Sequence, residues 1–153
     1  PYTAVSFFNA IYNPNFNKDS QTRKMWIGKF KDYGVNVLRV WCQWDNGRTF
    51  VDDGPDKTLY HRDGRLRDEH VRTLKAIITD ADEHGVVVQV VLFSQESWFK
   101  DIRLSPAAMD AAVAAVTREL QPHRNVIIQI WNELSERVLE SVKIVKAIDP
   151  TRI

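Results

Sequence analysis

The chain of 153 residues holds one cysteine, Cys42, so it can form neither an intrachain disulfide nor a C-x-x-C metal or redox site. Long apolar runs are also missing. The longest, Val86 to Phe93, is interrupted by Gln89 and falls far short of the roughly twenty residues that a membrane span needs. Charge of one sign does not dominate either. Lys and Arg number 21 against 20 Asp and Glu, and a net charge of +1 gives no field to steer a polyanion. Nucleic-acid and membrane partners are therefore not expected. The 6 glycines and 6 prolines form no repeat and no low-complexity segment, which excludes collagen-like and disordered classes. Pro1 opens the chain without a basic region or an apolar signal core, so an export signal is expected to have been removed or never included. What is present, 44% hydrophobic and 27% charged residues, suits a single globular domain over 1–153 that buries a core.

Three segments read as strands buried on both faces: Val35 to Trp41, Val86 to Phe93 and Val126 to Trp131. β-Branched residues dominate them, as in parallel sheets covered by helices. Thr3 to Phe8 is a weaker fourth. Helical spacing lies between them. A first helix is predicted from Ser20 to Tyr33, with Trp26, Phe30 and Tyr33 on its packed stripe and Gly34 as its stop. A second runs from Asp68 to His84 through Val71, Leu74, Ile78 and Ala81, with Asp68 and Glu69 near the positive end of its dipole. A third opens with Ser105 as N-cap and Pro106 at the first position, and carries Met109, Val113, Val116 and Leu120 on one face. A fourth covers roughly Ser135 to Ile148 through Val138, Val142 and Val145, and Asp149-Pro150 stops it.

The order β-α-β-α-β-α-β-α predicts right-handed crossovers and a parallel sheet. Four such units in this length match half of the roughly 250 residues of a complete TIM (β/α)8 barrel. A doubly wound sheet would show the same order, but no G-x-G-x-x-G turn follows any strand. The expectation is the first four units of a barrel, a half barrel truncated where Thr151-Arg152-Ile153 begins a fifth strand. Open strand edges at both ends call for a second half or for self-association.

Barrel sites form at the C-terminal ends of the strands. Here those ends read Trp41-Cys42-Gln43-Trp44-Asp45, Ser94-Gln95-Glu96-Ser97-Trp98 and Trp131-Asn132-Glu133. Indoles beside carboxylates and amides suit a sugar, whose C–H faces stack on rings while its hydroxyls need hydrogen-bond partners. Alternatively the rings pack on one another and close the barrel mouth. Trp26, inside a helical stripe, is expected in the core. Glu133 ends an apolar strand with a titratable group. Beside an indole its pKa would rise, as a general acid protonating a glycosidic oxygen requires, and Asn132 could donate to a neighbouring hydroxyl. Asn-Glu also suits an ordinary turn ahead of a helix. Arg39, a cation in an apolar strand, must face an anion or several acceptors, with Glu133 or Asp45 as structural candidates. Glu96 is a possible second carboxyl, though a cleft-lining role is expected. The stretch from Asp45 to Arg67 fits no EF-hand spacing and reads as a solvated loop, and the four histidines have no metal-ligand spacing. No metal or cofactor is expected. No lysine at a strand end and no Gly-rich phosphate loop leave an aldolase or phosphate-handling barrel without its chemistry.

On Gly34-Val35-Asn36-Val37-Leu38-Arg39 and Trp131-Asn132-Glu133, the chain resembles the N-terminal half of clan A glycoside hydrolases, nearest the cellulase and mannanase type of family 5. The resemblance implies retaining hydrolysis of a β-linked poly- or oligosaccharide. Glu133 would be acid/base, Asn132 would contact the sugar 2-hydroxyl, and Arg39 would hydrogen-bond the nucleophile. That nucleophilic glutamate lies on the family's seventh strand, so the isolated chain is expected to be inactive. Trp41, Trp44, Gln95, Glu96, Trp98 and Trp131 are the candidate substrate contacts. Two positions depart from the family: Leu92-Phe93-Ser94-Gln95 has no histidine near the third strand's end, and Leu134 stands where proline often follows Asn-Glu. They leave the subfamily and the sugar open. The alternative function is a non-catalytic carbohydrate-binding half barrel or pseudoenzyme. A polysaccharide substrate implies a secreted or periplasmic protein.

Overall fold

The structure, a computed structural model, describes residues 1–45, 50–98 and 103–153. Its elements are β1 (Ala4–Ser6), α1 (Ser20–Asp32), β2 (Val37–Trp41), α2 (Asp68–Asp82), β3 (Val87–Ser94), α3 (Gln95–Trp98), α4 (Pro106–Leu120), β4 (Val126–Asn132) and α5 (Val138–Ile148), with a 3-10 turn at Ala10–Tyr12. The four strands form one sheet in the order β1-β2-β3-β4, every neighbouring pair parallel. This is the α/β arrangement of the first units of a barrel.

The apolar strands explain the layering. One face of the sheet carries Leu38, Val40, Val88, Val90 and Leu92, all fully buried. They meet the helix faces that the spacing predicted, Leu74, Ile78 and Ala81 of α2 and Met109, Val113, Val116 and Leu120 of α4. On the opposite, inner face the register sets Ser6 beside Arg39 and Arg39 beside Gln89, and Val91 beside Gln129. Polar side chains thus interrupt the strands on the side where a barrel interior would lie. The local punctuation is as expected. Ser105 accepts a hydrogen bond from the Ala108 N–H at the start of α4, and Gly34 and Gly85 take positive φ after α1 and α2. The Ile128 N–H donates to the Ile153 carbonyl at 2.9 Å, the contact a strand laid beside β4 would begin with.

Three expectations are corrected. Trp26 is 42% exposed with the Lys29 ammonium 4.5 Å from its ring centroid, and Tyr33 is 88% exposed; Ile27 is the residue α1 buries. Of the expected aromatic stripe, Phe30 does pack against the core, beside Phe7. In α5, which starts at Val138 after a left-handed Arg137, Val138 packs against the core and Ser141 and Val145 are buried, while Val142 is 39% exposed. The connection from Asp45 to Arg67, of which residues 46–49 lie outside the described ones, is more than a solvated loop. Leu59 and Tyr60 are buried in it, isolated antiparallel bridges join Gln43 to Thr58 and Tyr60 to Leu66, and the Tyr60 hydroxyl donates to the Leu92 carbonyl at 2.8 Å. Its Leu59-Tyr60 pair folds over the ends of β2 and β3. Among the described residues no helix is long and apolar enough to cross a membrane.

Candidate active site at the strand ends

Parallel strands deliver their last side chains to one end of the sheet, and there a cleft of about 370 Å³ opens. Its polar lining comes from all four strands: Ser6 from the end of β1, Arg39 from within β2, Glu96 from just beyond β3, and Asn132 with the following Glu133 from the end of β4. Glu133 is an exposed residue of this cleft, which Trp41 and Trp44 also line. Glu133 itself takes φ +60°, a left-handed conformation that costs a non-glycine residue about 1–3 kcal/mol and clusters at functional sites.

Arg39 is half-buried, and its partners are amides. Its Nη2 donates to Asn132 Oδ1 at 2.9 Å, its Nε donates to Gln129 Oε1 at 3.1 Å, and its guanidinium carbon lies 5.5 Å from the Trp41 ring centroid. Among the described residues no carboxylate reaches ion-pair distance of it. Burial pulls its pKa down, and the charges of Glu133 and Glu96 oppose that pull from further off. The anions proposed from the sequence are thus placed differently: Glu133 shares the cleft without an ion pair, and Asp45 sits elsewhere. Because Asn132 Oδ1 is occupied by Arg39, its amide nitrogen is left to donate, and among the described residues it has no acceptor.

The aromatic residues divide into two groups. Trp41 and Trp44 line the cleft, but each is more than nine-tenths buried. The more exposed rings beside them are Phe8, stacked at 6.0 Å on Trp44, and Phe50, stacked at 5.7 Å on the other contact of that indole. Neither phenylalanine was legible as a site residue; Phe8 follows β1, which was the one available signal. Trp98 and Trp131 do not line the cleft. They meet edge to face at 4.6 Å and pack on Phe93, and both indole N–H groups donate to Glu136, to its carboxylate at 3.1 Å and its carbonyl at 2.6 Å. Arg103 pairs with the same carboxylate. Those two tryptophans therefore close the mouth by packing on each other. Gln95 is half-buried at the start of α3 and does not line the cleft.

Asp45 belongs to a second cleft of about 240 Å³, with Gln43, Thr58, Tyr60 and Arg67. Ser97 Oγ donates to its Oδ1 at 2.5 Å, Ser94 Oγ lies 3.0 Å from Ser97 Oγ, and the Ser94 N–H donates to Gln43 Oε1 at 3.0 Å. Burial pushes the Asp45 carboxyl above the usual carboxylate range, against the hydrogen bonds from Ser97 and Thr58 and the charge of Arg67. This network ties the ends of β2 and β3 together and fixes α3, the helix that carries Glu96. One Glu96 oxygen and the Trp41 indole nitrogen are buried without hydrogen-bond partners. No group of three His, Cys, Asp or Glu side chains able to hold a metal ion occurs among the described residues.

A family model described as cellulase (glycosyl hydrolase family 5) matches residues 3–151. Nothing among curated proteins matches. Among solved structures, cellulose synthase subunit Z from Clostridioides difficile superposes with a TM-score of 0.70 at 15% identity, over 99% of this chain and 50% of that one. Cel5A from Thermotoga maritima, in complex with cellobiose, gives 0.67 at 15% identity over 97% of this chain and 51% of that one. A Streptomyces cattleya GH5_18 protein in complex with Manβ1-4GlcNAc gives 0.64 at 12% identity over 100% and 44%. The chain thus spans about half the length of these structures, and at such identity the likeness speaks to the fold.

Proposed function

The chain belongs to glycosyl hydrolase family 5, and from that premise we propose that it forms the first four units of an eight-unit barrel hydrolysing O-glycosidic bonds of a β-linked poly- or oligosaccharide with retention. The observation that carries this reading is the joint placement, in one cleft, of the exposed Glu133, an Asn132 amide nitrogen without an acceptor among the described residues and an Arg39 held, among those residues, by neutral acceptors. Glu133 is the acid that protonates the departing glycosidic oxygen and then the base that activates water. Asn132 donates to the sugar 2-hydroxyl. Retention requires a second carboxylate about 5–5.5 Å from the first, across the anomeric carbon. We assign it to the part of the barrel beyond these four strands, facing the unpaired Arg39. Phe8 and Phe50, with Trp41 and Trp44 behind them, give the sugar an apolar wall. The sugar-bound neighbours support a β-linked ligand, since two of them hold cellobiose and Manβ1-4GlcNAc. A polymeric substrate places the reaction in a secreted or periplasmic protein.

The test is hydrolysis of β-glucan, mannan and aryl β-glycosides by the full-length parent, wild type against Glu133→Gln. Losing the proton donor should lower kcat/KM about 10²–10⁴-fold on polysaccharide and much less on an aryl glycoside whose leaving group needs no proton, while kcat falls on both because water loses its base. A uniform loss of kcat/KM across leaving groups, or none, overturns the assignment of Glu133. Sugar binding without turnover by the wild-type parent would leave the carbohydrate-binding reading in its place.

A further inference from the structure

A chain of amides runs across the inner face of the sheet beneath the cleft. Gln89 of β3 is the register partner of Arg39, and Gln129 of β4 is that of Val91, so all three polar side chains stand on one face. Gln89 Nε2 donates to Gln129 Oε1 at 2.7 Å, and the same oxygen accepts from Arg39 Nε at 3.1 Å. Gln129 Nε2 donates to the Trp131 carbonyl at 2.5 Å. These bonds admit one orientation of the Gln129 amide. Flipped, it would turn its NH2 toward two donors and its oxygen toward a carbonyl. The oxygen that grips Arg39 is therefore fixed, and it belongs to a neutral group.

A glutamate at this position would reach the same guanidinium but neutralise it. A hydrocarbon side chain would leave the Arg39 Nε–H without an acceptor in a half-buried site. We propose that Gln129, backed by Gln89, is a positioning residue that aims Arg39 and, through it, the Asn132 amide, while leaving the cation unpaired for a carboxylate arriving at the cleft. This rests on the glycosidase reading given above. Gln129 itself does not line the cleft and acts through its neighbours.

The experiment compares Gln129→Met and Gln129→Glu with wild type and Glu133→Gln in the full-length parent, measuring kcat and KM against pH on a β-linked oligosaccharide, whose leaving group must be protonated, together with thermal midpoints. Gln129→Met should lower kcat by about 10- to 100-fold through misaimed groups, with KM and both pH limbs nearly unmoved. Gln129→Glu keeps the acceptor but adds a charge near Glu133 and Glu96. The limb set by protonated Glu133 should then move up by about one pH unit. Wild-type kcat with unmoved limbs in both variants overturns the proposal. So does a loss that merely tracks a lowered thermal midpoint with the limb fixed in Gln129→Glu. A parent with no glycosidase activity, or a fully active Glu133→Gln, sinks the functional reading instead. In that case exchange of the Arg39 Nε proton, followed by NMR, still decides the positioning: protection must persist in Gln129→Glu and disappear in Gln129→Met, and equal protection in both refutes it.

Discussion

Gly64→Ala should destabilise the fold by about 2 kcal/mol more than Gly34→Ala, although both glycines have nearly the same backbone conformation. Their φ values are +86° and +82°. In that region an alanine costs about 1–2 kcal/mol of backbone strain, partly offset by about 0.4–1 kcal/mol of lost freedom in the unfolded chain. At Gly34 nothing lies within 4 Å of the added Cβ, so this small net cost is the whole effect. At Gly64 the Cβ would sit 2.1 Å from the Ala108 carbonyl oxygen and 2.9 Å from its carbon. Both are backbone atoms in the first turn of α4, and no rotamer change relieves the contact. The connection must lift away from the helix, a shift of the kind that overpacking penalises by about 1–3 kcal/mol. The consequence reaches the cleft, because the Trp44 N–H donates to the Lys57 carbonyl and the Trp44 carbonyl accepts from Gly54 in the same connection. Thermal and urea unfolding of the two variants and wild type measure the difference. At about 2–4 °C per kcal/mol for a domain of this size, the two midpoints should differ by about 4–8 °C. Equal midpoints would refute the close approach between this connection and α4.

Two further outcomes follow from buried titratable groups. Because burial raises the pKa of Asp45, the folded state holds its proton more tightly than the unfolded chain. The associated stability is fully present below the unfolded value of about 3.9 and is lost as pH rises through the folded pKa. Asp45→Asn should therefore gain stability relative to wild type between acid and neutral pH, as urea midpoints at both ends would show. A variant that instead loses ground toward neutrality would mean that the Ser97, Thr58 and Arg67 interactions outweigh desolvation. Cys42 is fully buried and its pKa is pushed up to about 12, so at pH 8 a fraction of only about 10⁻⁴ is thiolate. Labelling by a disulfide reagent should proceed at the rate of global unfolding, and reaction within seconds on the native protein would contradict that burial.

The barrel layering was readable from the sequence because a largely buried strand has little room for alternation: Val37 to Trp41 and Val87 to Ser94 are buried except at Arg39, Val87 and Gln89, whereas Val126 to Asn132, expected to be buried on both faces, is only partly buried from Ile127 to Gln129. Helix starts were readable where a side chain makes them, as at Ser105-Pro106, and not where a backbone conformation does, as at Arg137. The positions of Asn132 and Glu133 at a strand end, and of Arg39 within a strand, were likewise evident. What they touch was not, since Arg39 and Asn132 are 93 residues apart and meet only through the sheet register. The tryptophans show why residue type is a poor guide at a barrel mouth. An indole offers a ring face and one donor, and whether either remains for a ligand depends on distant acceptors. For Trp98 that acceptor is Glu136, 38 residues on, and it removes the donor from use. Polar residues inside apolar strands are the better signal. Arg39, Gln89 and Gln129 each break a run that would otherwise be continuous, and a buried polar side chain persists in such a run only if something bonds to it. Placed on adjacent parallel strands with their register known, the three could bond only to one another or to groups at the cleft. That requirement, rather than the abundance of aromatic residues, is what directs attention from the core of this half barrel to its site.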